Sequence, residues 1–181
     1  MSNQRWREEL MARYPTLFKV ELGDRTVTPG YPAVGDGWRE LVETAVSRIA
    51  AAIAAAPSGT VKIVQIKEKF GTLRAYRRSS GLDDAVKHAV DEAAALAAAR
   101  SACTCERCGA EGRLYNNGGC LATACTEHAL GKPMPVEPGF GNLHVVRTFD
   151  PPRFPIISCR RYVRETDSFV DVDPKSLGIE E

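Results

Sequence analysis

Long apolar runs are missing from this chain of 181 residues. Its alanine-rich stretches are short and flanked by charge, so no segment is expected to span a bilayer. No apolar stretch follows the charged start Met1-Ser2-Asn3-Gln4-Arg5, and no secretory signal is expected. Aromatic residues make up 7% of the chain and histidine occurs three times, which leaves few groups for imidazole acid–base chemistry. Charge of one sign is also scarce: 24 lysines and arginines stand against 23 acids, for a net charge of +1. That balance argues against a wholly basic nucleic-acid binder, although it averages over segments of opposite sign. Absent too are a Ser/His/Asp ordering, a P-loop and a glycine-rich dinucleotide turn. The chain is therefore not expected to be an enzyme. It has no internal repeat.

What remains is the composition of a globular protein, 44% hydrophobic and 26% charged. Its length suits one domain, or a small domain with an appended module. Six cysteines in a chain without an export signal are expected to be thiols and metal ligands rather than disulfides. The expected location is cytoplasmic.

Four donors stand out as two short pairs, Cys105-x-x-Cys108 and Cys125-x-x-His128, with sixteen residues between them. Two residues between ligands let a tight turn aim both donors at one ion, and Cys₃His is a donor set for tetrahedral Zn²⁺. The expectation is one Zn²⁺ held by Cys105, Cys108, Cys125 and His128. Gly109, just after the second cysteine, can take positive φ and let backbone N–H groups point at the thiolates. Four protein ligands leave no place for an activated water, so the ion is expected to be structural. Cys125-x-Glu127 with a separate CxxC invites comparison with zinc deaminases, but the order is reversed and Thr104 stands where a proline belongs. Cys103 and Cys120 are near enough to compete as ligands. Neither has a partner at two-residue spacing, and with Cys159 they are read as small buried hydrophobes.

Periodicity places the elements around this site. Residues 5–14 are expected to be a short helix with Trp6, Leu10 and Tyr14 on one face, and residues 15–35 a loop with one short strand. Asp36 is the expected cap of a long helix over 38–55, whose apolar stripe runs Trp38, Leu41, Val42, Ala45, Val46, Ile49, Ala52 and Ile53. Residues 61–67 and 73–77 make a hairpin turned at Phe70-Gly71-Thr72. A second long helix over 85–100 is capped by Asp83 or Asp84, with Val86, Ala89, Val90, Ala93, Leu96 and Ala97 inward. Within 103–130, residues 114–124 form a small hairpin, and the last ligand pair opens a short helix over 126–130. Residues 131–141 are read as a proline-rich linker, followed by strands over 143–146 and 154–162 and an acidic tail from Glu165 that frays. The expected fold is α+β, two main helices against a small antiparallel sheet, divided as a core over 1–102, a finger over 103–130 and a C-terminal region over 131–181.

The first hairpin is conspicuously basic. Lys62, Lys67, Lys69, Arg74, Arg77 and Arg78 face Glu68 alone. Arg74, Tyr76 and Arg78 alternate onto one face, so Lys67, Lys69, Arg74, Tyr76 and Arg78 are candidate contacts to phosphate and base. The plainer reading is a solvated outer sheet face. Arg153, Arg160, Arg161 and Arg164 would extend that surface if the strands adjoin. His88 is expected to be exposed and inert, and His144 to be a hydrogen-bonded strand histidine.

Knuckle, hairpin and a final ligand pair on a helical turn resemble a treble-clef zinc finger over 103–130. That resemblance implies a fold and a ligand set but no activity. Beyond the finger, Gly35-Asp36-Gly37-Trp38, the stretch from Gln65 through Lys67-Glu68-Lys69-Phe70-Gly71-Thr72 to Arg74, and Thr104 to Gly109 with Cys125-x-x-His128 resemble an uncharacterised family of small bacterial and phage proteins, over about 30–130. The family brings no activity with it; together with the missing catalytic constellation and the near-neutral charge, the resemblance leads to the expectation of a non-enzymatic interaction protein, a phage accessory or anti-defence factor with a host protein as partner. The alternative is a nucleic-acid-binding zinc protein using the basic hairpin around 62–78.

Overall fold

Apolar spacing builds the first layer. In the computed structural model, which describes residues 4–148 and 156–179, helix α1 (Arg5–Arg13) buries Trp6 and Leu10. Tyr14 interrupts it, and a four-residue helix α2 (Pro15–Phe18) buries Leu17 and Phe18. Proline suits that first helical position, where an N–H would lack a partner. Strands β1 (Val20–Leu22) and β2 (Arg25–Val27) pair with each other, and β3 (Pro32–Ala33) follows. Residues 15–35 thus hold a helix and three strands where a loop with one strand was expected. These elements are only two to four residues long, too short for a period to register.

Helix α3 (Arg39–Ala54) carries the expected stripe, burying Leu41, Val42, Ala45, Val46 and Ile49. Asp36 does not cap it. A 3₁₀ turn over Asp36–Trp38 intervenes, and Trp38 holds the cap position without a side-chain bond. The Asp36 carboxylate instead accepts from the Trp6 indole at 2.9 Å and from the buried Arg7 guanidinium at 2.8 Å. A buried guanidinium stripped of its carboxylate is costlier than an uncapped helix end.

Strands β4 (Thr60–Lys69) and β5 (Thr72–Ser80) form the main hairpin, and β3 adds to β4 in parallel. Helix α4 (Asp84–Ser101) follows, with the Asp83 carboxylate accepting from the Val86 N–H at 2.8 Å. Its buried stripe is Val90, Ala93, Leu96 and Ala97, while Ala89 is exposed. Ala89 sits at the stripe's edge, where one methyl gains little from burial. Trp6, Phe18, Trp38 and the α3 stripe meet Val61, Ile63, Ile66 and Leu73 of the hairpin and Val90 and Ala93 of α4 in one core.

The rest is built of small sheets. Strands β6 (Arg113–Asn117) and β7 (Cys120–Ala124) form the second hairpin, and β8 (Lys132–Pro133) pairs with β6, so the expected linker contributes a strand. Strands β9 (Leu143–Thr148), β10 (Ile156–Val163) and β11 (Ser168–Val172) make an antiparallel sheet ordered β11-β10-β9. The tail does not simply fray. Asp167 pairs with Arg48 of α3 at 2.8 Å and accepts from the Tyr162 hydroxyl at 2.7 Å, and Phe169 packs edge-on against Tyr162. Arg48 lies far away in sequence, so a reading of tail charge alone misses it. Arg153, Phe154 and the final acids Glu180 and Glu181 lie outside the described residues. The result is mixed α+β, with four α-helices and several small sheets among the described residues, not two helices on one antiparallel sheet.

Candidate metal centre

Two turns bring the four donors together. Cys105 follows the end of α4 at Ser101 by four residues, and the first turn closes with the Gly109 N–H donating to the Cys105 carbonyl at 2.9 Å. Gly109 takes φ +79°, as its position after the second cysteine predicts. The second turn starts where β7 ends, with the His128 N–H donating to the Cys125 carbonyl at 3.2 Å. The expected helix over 126–130 is absent: residues 126–128 form a single turn, which suffices to aim two donors.

Cys105 Sγ lies 3.6 Å from His128 Nδ1, Cys125 Sγ 3.3 Å from the same nitrogen, and Cys108 Sγ 3.7 Å from Cys125 Sγ. All four donor atoms fall within 4.8 Å of one another, close enough to hold a metal ion. The electrostatics favour a cation. Burial pushes the Cys105 thiol up, but N–H groups of Cys125, Cys108 and Arg107 outweigh it and bring the pKa down to about 6. At Cys108 the Ala110 N–H favours the thiolate, yet burial and the neighbouring Cys105 and Cys125 sulfurs leave its pKa raised. The Cys105 sulfur ionises readily while that of Cys108 resists, which is the arrangement a bound cation relieves.

The ligand turns are docked on the core through backbone. The Gly37 N–H donates to the Glu106 carbonyl at 2.8 Å, the Gly35 N–H to the Glu106 carboxylate at 2.8 Å, and the Trp38 indole to the Thr104 carbonyl at 2.8 Å. From the other side, the Thr123 hydroxyl donates to the Gly71 carbonyl at 2.6 Å, so the tip of the β4–β5 hairpin rests on β7. The Ser101 hydroxyl accepts from the Leu73 N–H at 2.8 Å. The three stretches around Gly37, Gly71 and Cys105 therefore converge on one place.

The remaining cysteines divide. Cys103 and Cys159 are buried, whereas Cys120 is exposed at the end of the Gly118-Gly119 turn, against expectation. Burial raises the Cys103 pKa, opposed by Arg164.

All the basic residues of the hairpin but Arg77 share one face. Cross-strand partners are Lys67 with Arg74, Gln65 with Tyr76 and Lys62 with Arg78, and directly opposed residues point to the same side. An irregularity in β4 between Ile63 and Gln65 inserts one extra residue and keeps Lys62 in register with this face. Glu68 opposes Leu73 on the other side, where its carboxylate accepts from the Gly71 N–H at 2.5 Å. Arg77 is also turned away and pairs with Asp91 of α4. Lys67, Lys69, Arg74, Tyr76 and Arg78 are thus brought together. His88 is exposed. His144, which packs edge-on against Phe169, has its pKa lowered by burial and then by Arg160 and Arg74.

Two features escaped the sequence reading. Phe70 has φ +56° and is 65% exposed; the two-residue loop between Lys69 and Thr72 was the available signal, because the favoured turns of that length place positive φ at the first position, and type I′ at both. Arg164 donates to the carbonyls of Cys103 and Gly109 and to the Thr104 hydroxyl, and nothing local announces it. No protein family, curated protein or solved structure matches this chain.

Proposed function

We propose that this chain is a non-enzymatic, zinc-stabilised binding protein that meets an anionic partner with the outer face of its basic hairpin. The observation that carries the reading is the pairing of like charges: Lys67 lies opposite Arg74, and Lys62 opposite Arg78. Directly opposed like charges destabilise a hairpin in water. An anionic partner attracts both charges and offsets that repulsion, and the one acid of the hairpin points away.

Zinc is supported by donor softness and spacing. For Zn–S near 2.3 Å and Zn–N near 2.0–2.1 Å, a tetrahedron has edges of about 3.8 Å between sulfurs and about 3.5 Å between sulfur and nitrogen. The separations of 3.7, 3.6 and 3.3 Å fit those edges. We read the arrangement as treble-clef-like, a knuckle and a hairpin with a turn where that finger carries a helix. Four protein donors close the coordination sphere, so the ion supplies rigidity rather than a reactive water. Reduced thiolate ligands suit a cytoplasmic location.

The resemblance to small bacterial and phage proteins extends the reading to an accessory role, with an acidic host-protein surface as a second occupant of the same face. The test is a pull-down of the tagged, zinc-loaded protein from bacterial lysate, in nuclease-treated and untreated halves, beside a Lys67→Glu/Arg74→Glu variant. Wild type should recover nucleic acid or an acidic protein that the reversed variant does not. Equal recovery by both proteins overturns the reading.

A further inference from the structure

Phenylalanine is a poor choice at position 70 on two counts. With Gly71 at φ +78°, its own φ of +56° places both residues of the turn in the left-handed region, where asparagine, aspartate and glycine are preferred and a bulky side chain is an outlier. Its ring is also 65% exposed, so it gains little from burial. An exposed aromatic held in an unfavourable backbone conformation points to a use outside the fold. Tyr76, 41% exposed on the basic face, is the second such ring.

Each ring has its own cation. Lys69 Nζ lies 5.2 Å from the Phe70 ring centre, and Lys67 Nζ 5.4 Å from that of Tyr76. Thr72, beside the turn, and Tyr76 are four strand steps apart, about 14 Å at 3.4 Å per step. The Lys67–Arg74 pair falls in that interval. The tip is held in place, because the Gly71 carbonyl accepts from Thr123 and the Gly71 N–H is bound by Glu68.

We infer that the partner is single-stranded nucleic acid, with bases stacked on Phe70 and Tyr76 and phosphates met by Lys67, Lys69 and Arg74. The inference rests on the reading of the hairpin face as the partner surface. Alternating cations and exposed rings are what an unpaired strand uses, since every base offers a π-face and every linkage a charge. A duplex hides its base faces, and an acidic protein surface has no need of the rings.

The experiment is fluorescence anisotropy on the zinc-loaded full chain with labelled oligothymidylate, oligouridylate and a blunt duplex of the same length, with heparin as competitor. Single strands should bind tighter than duplex, and the thymidylate and uridylate arms separate DNA from RNA. Tyr76→Ala should weaken binding about tenfold, with Tyr76→Phe restoring it. Phe70→Asn should weaken it similarly while melting no lower than wild type, since asparagine accepts the turn conformation; that separates lost stacking from lost fold. Lys67→Gln should reduce the salt slope by about one phosphate contact. If single strand, duplex and heparin bind alike and the ring variants are unaffected, the stacking inference is overturned and the anionic-partner reading stands. If none binds even at low salt, both fall.

Discussion

A β-carbon on Gly37 would stand 2.4 Å from the carbonyl oxygen of Cys105, so the loop before α3 and the first ligand turn meet backbone to backbone. The same β-carbon would lie 2.4 Å from the Gly109 nitrogen and 2.6 Å from that of Cys108. The helical core and the metal site are thus pressed together where no side chain can yield.

Gly37→Ala should therefore act on both at once. The atoms it would meet are backbone, and relief requires the turn to shift. Overpacking of this kind costs about 1–3 kcal/mol. A lower melting temperature and faster loss of metal to a chelator are expected, measured beside Gly141→Ala, whose new β-carbon would meet nothing within 4 Å. Equal behaviour of the two variants would show that the close approach is not binding the turn in place.

Metal content is the second prediction. One zinc per chain is expected by elemental analysis. Because structural zinc sites carry about 10–16 kcal/mol of apparent binding energy, stripping the ion should lower the melting temperature sharply. Cys105→Ser should lose the ion and loosen the finger. The far-UV helical signal of α3 and α4 should survive, since their stripes pack against Val61, Ile63, Ile66 and Leu73. A stripped protein that melts like the untreated one would rule out a structural ion.

What the sequence disclosed follows the range of the interactions. The α3 stripe, the Asp83 cap, the two hairpins and the four donors are set by neighbours within a few residues, and periodicity and spacing expose such features. Asp36 misled because its partners, Trp6 and Arg7, lie some thirty positions upstream, and no local pattern weighs a buried guanidinium against a helix end. The tail misled for the same reason: Asp167 is held by Arg48. The helix expected after Cys125 needed no more than a turn, because two donors three residues apart already face one point. The strain at Phe70 was legible in principle, from loop length alone, but only once the strand ends beside it were known.

The pH response of His144 is the third prediction. Burial, then the Arg160 and Arg74 charges, hold its pKa below the usual 6.5. A histidine with a lowered folded pKa binds fewer protons folded than unfolded. Its share of stability is whole above about 6.5 and falls as the pH drops below that value. NMR titration of the ring should find a midpoint under 6.5 that rises in Arg74→Gln. A midpoint unmoved by that change would mean that the basic hairpin does not reach the C-terminal sheet.

Arg164 gives the fourth. It follows β10 in the chain, yet its guanidinium reaches the Cys103 carbonyl, the Thr104 hydroxyl at 3.0 Å and the Gly109 carbonyl at 3.4 Å. It thereby joins the C-terminal sheet to both ends of the first ligand turn. Lysine keeps the charge but presents a single ammonium, which cannot reproduce the planar fork. Hydrogen bonds to a charged group are worth about 1.5–3 kcal/mol each, so Arg164→Lys should speed hydrogen exchange in β10 and β11 while leaving α3 unchanged. Stripping the metal from wild type should speed exchange in the same strands, because the acceptors move when the turn loosens. In Arg164→Lys, stripping should then add little there. If metal removal still loosens β10 and β11 by the full wild-type amount in the variant, the coupling runs through other contacts, such as the Asp167 pair with Arg48.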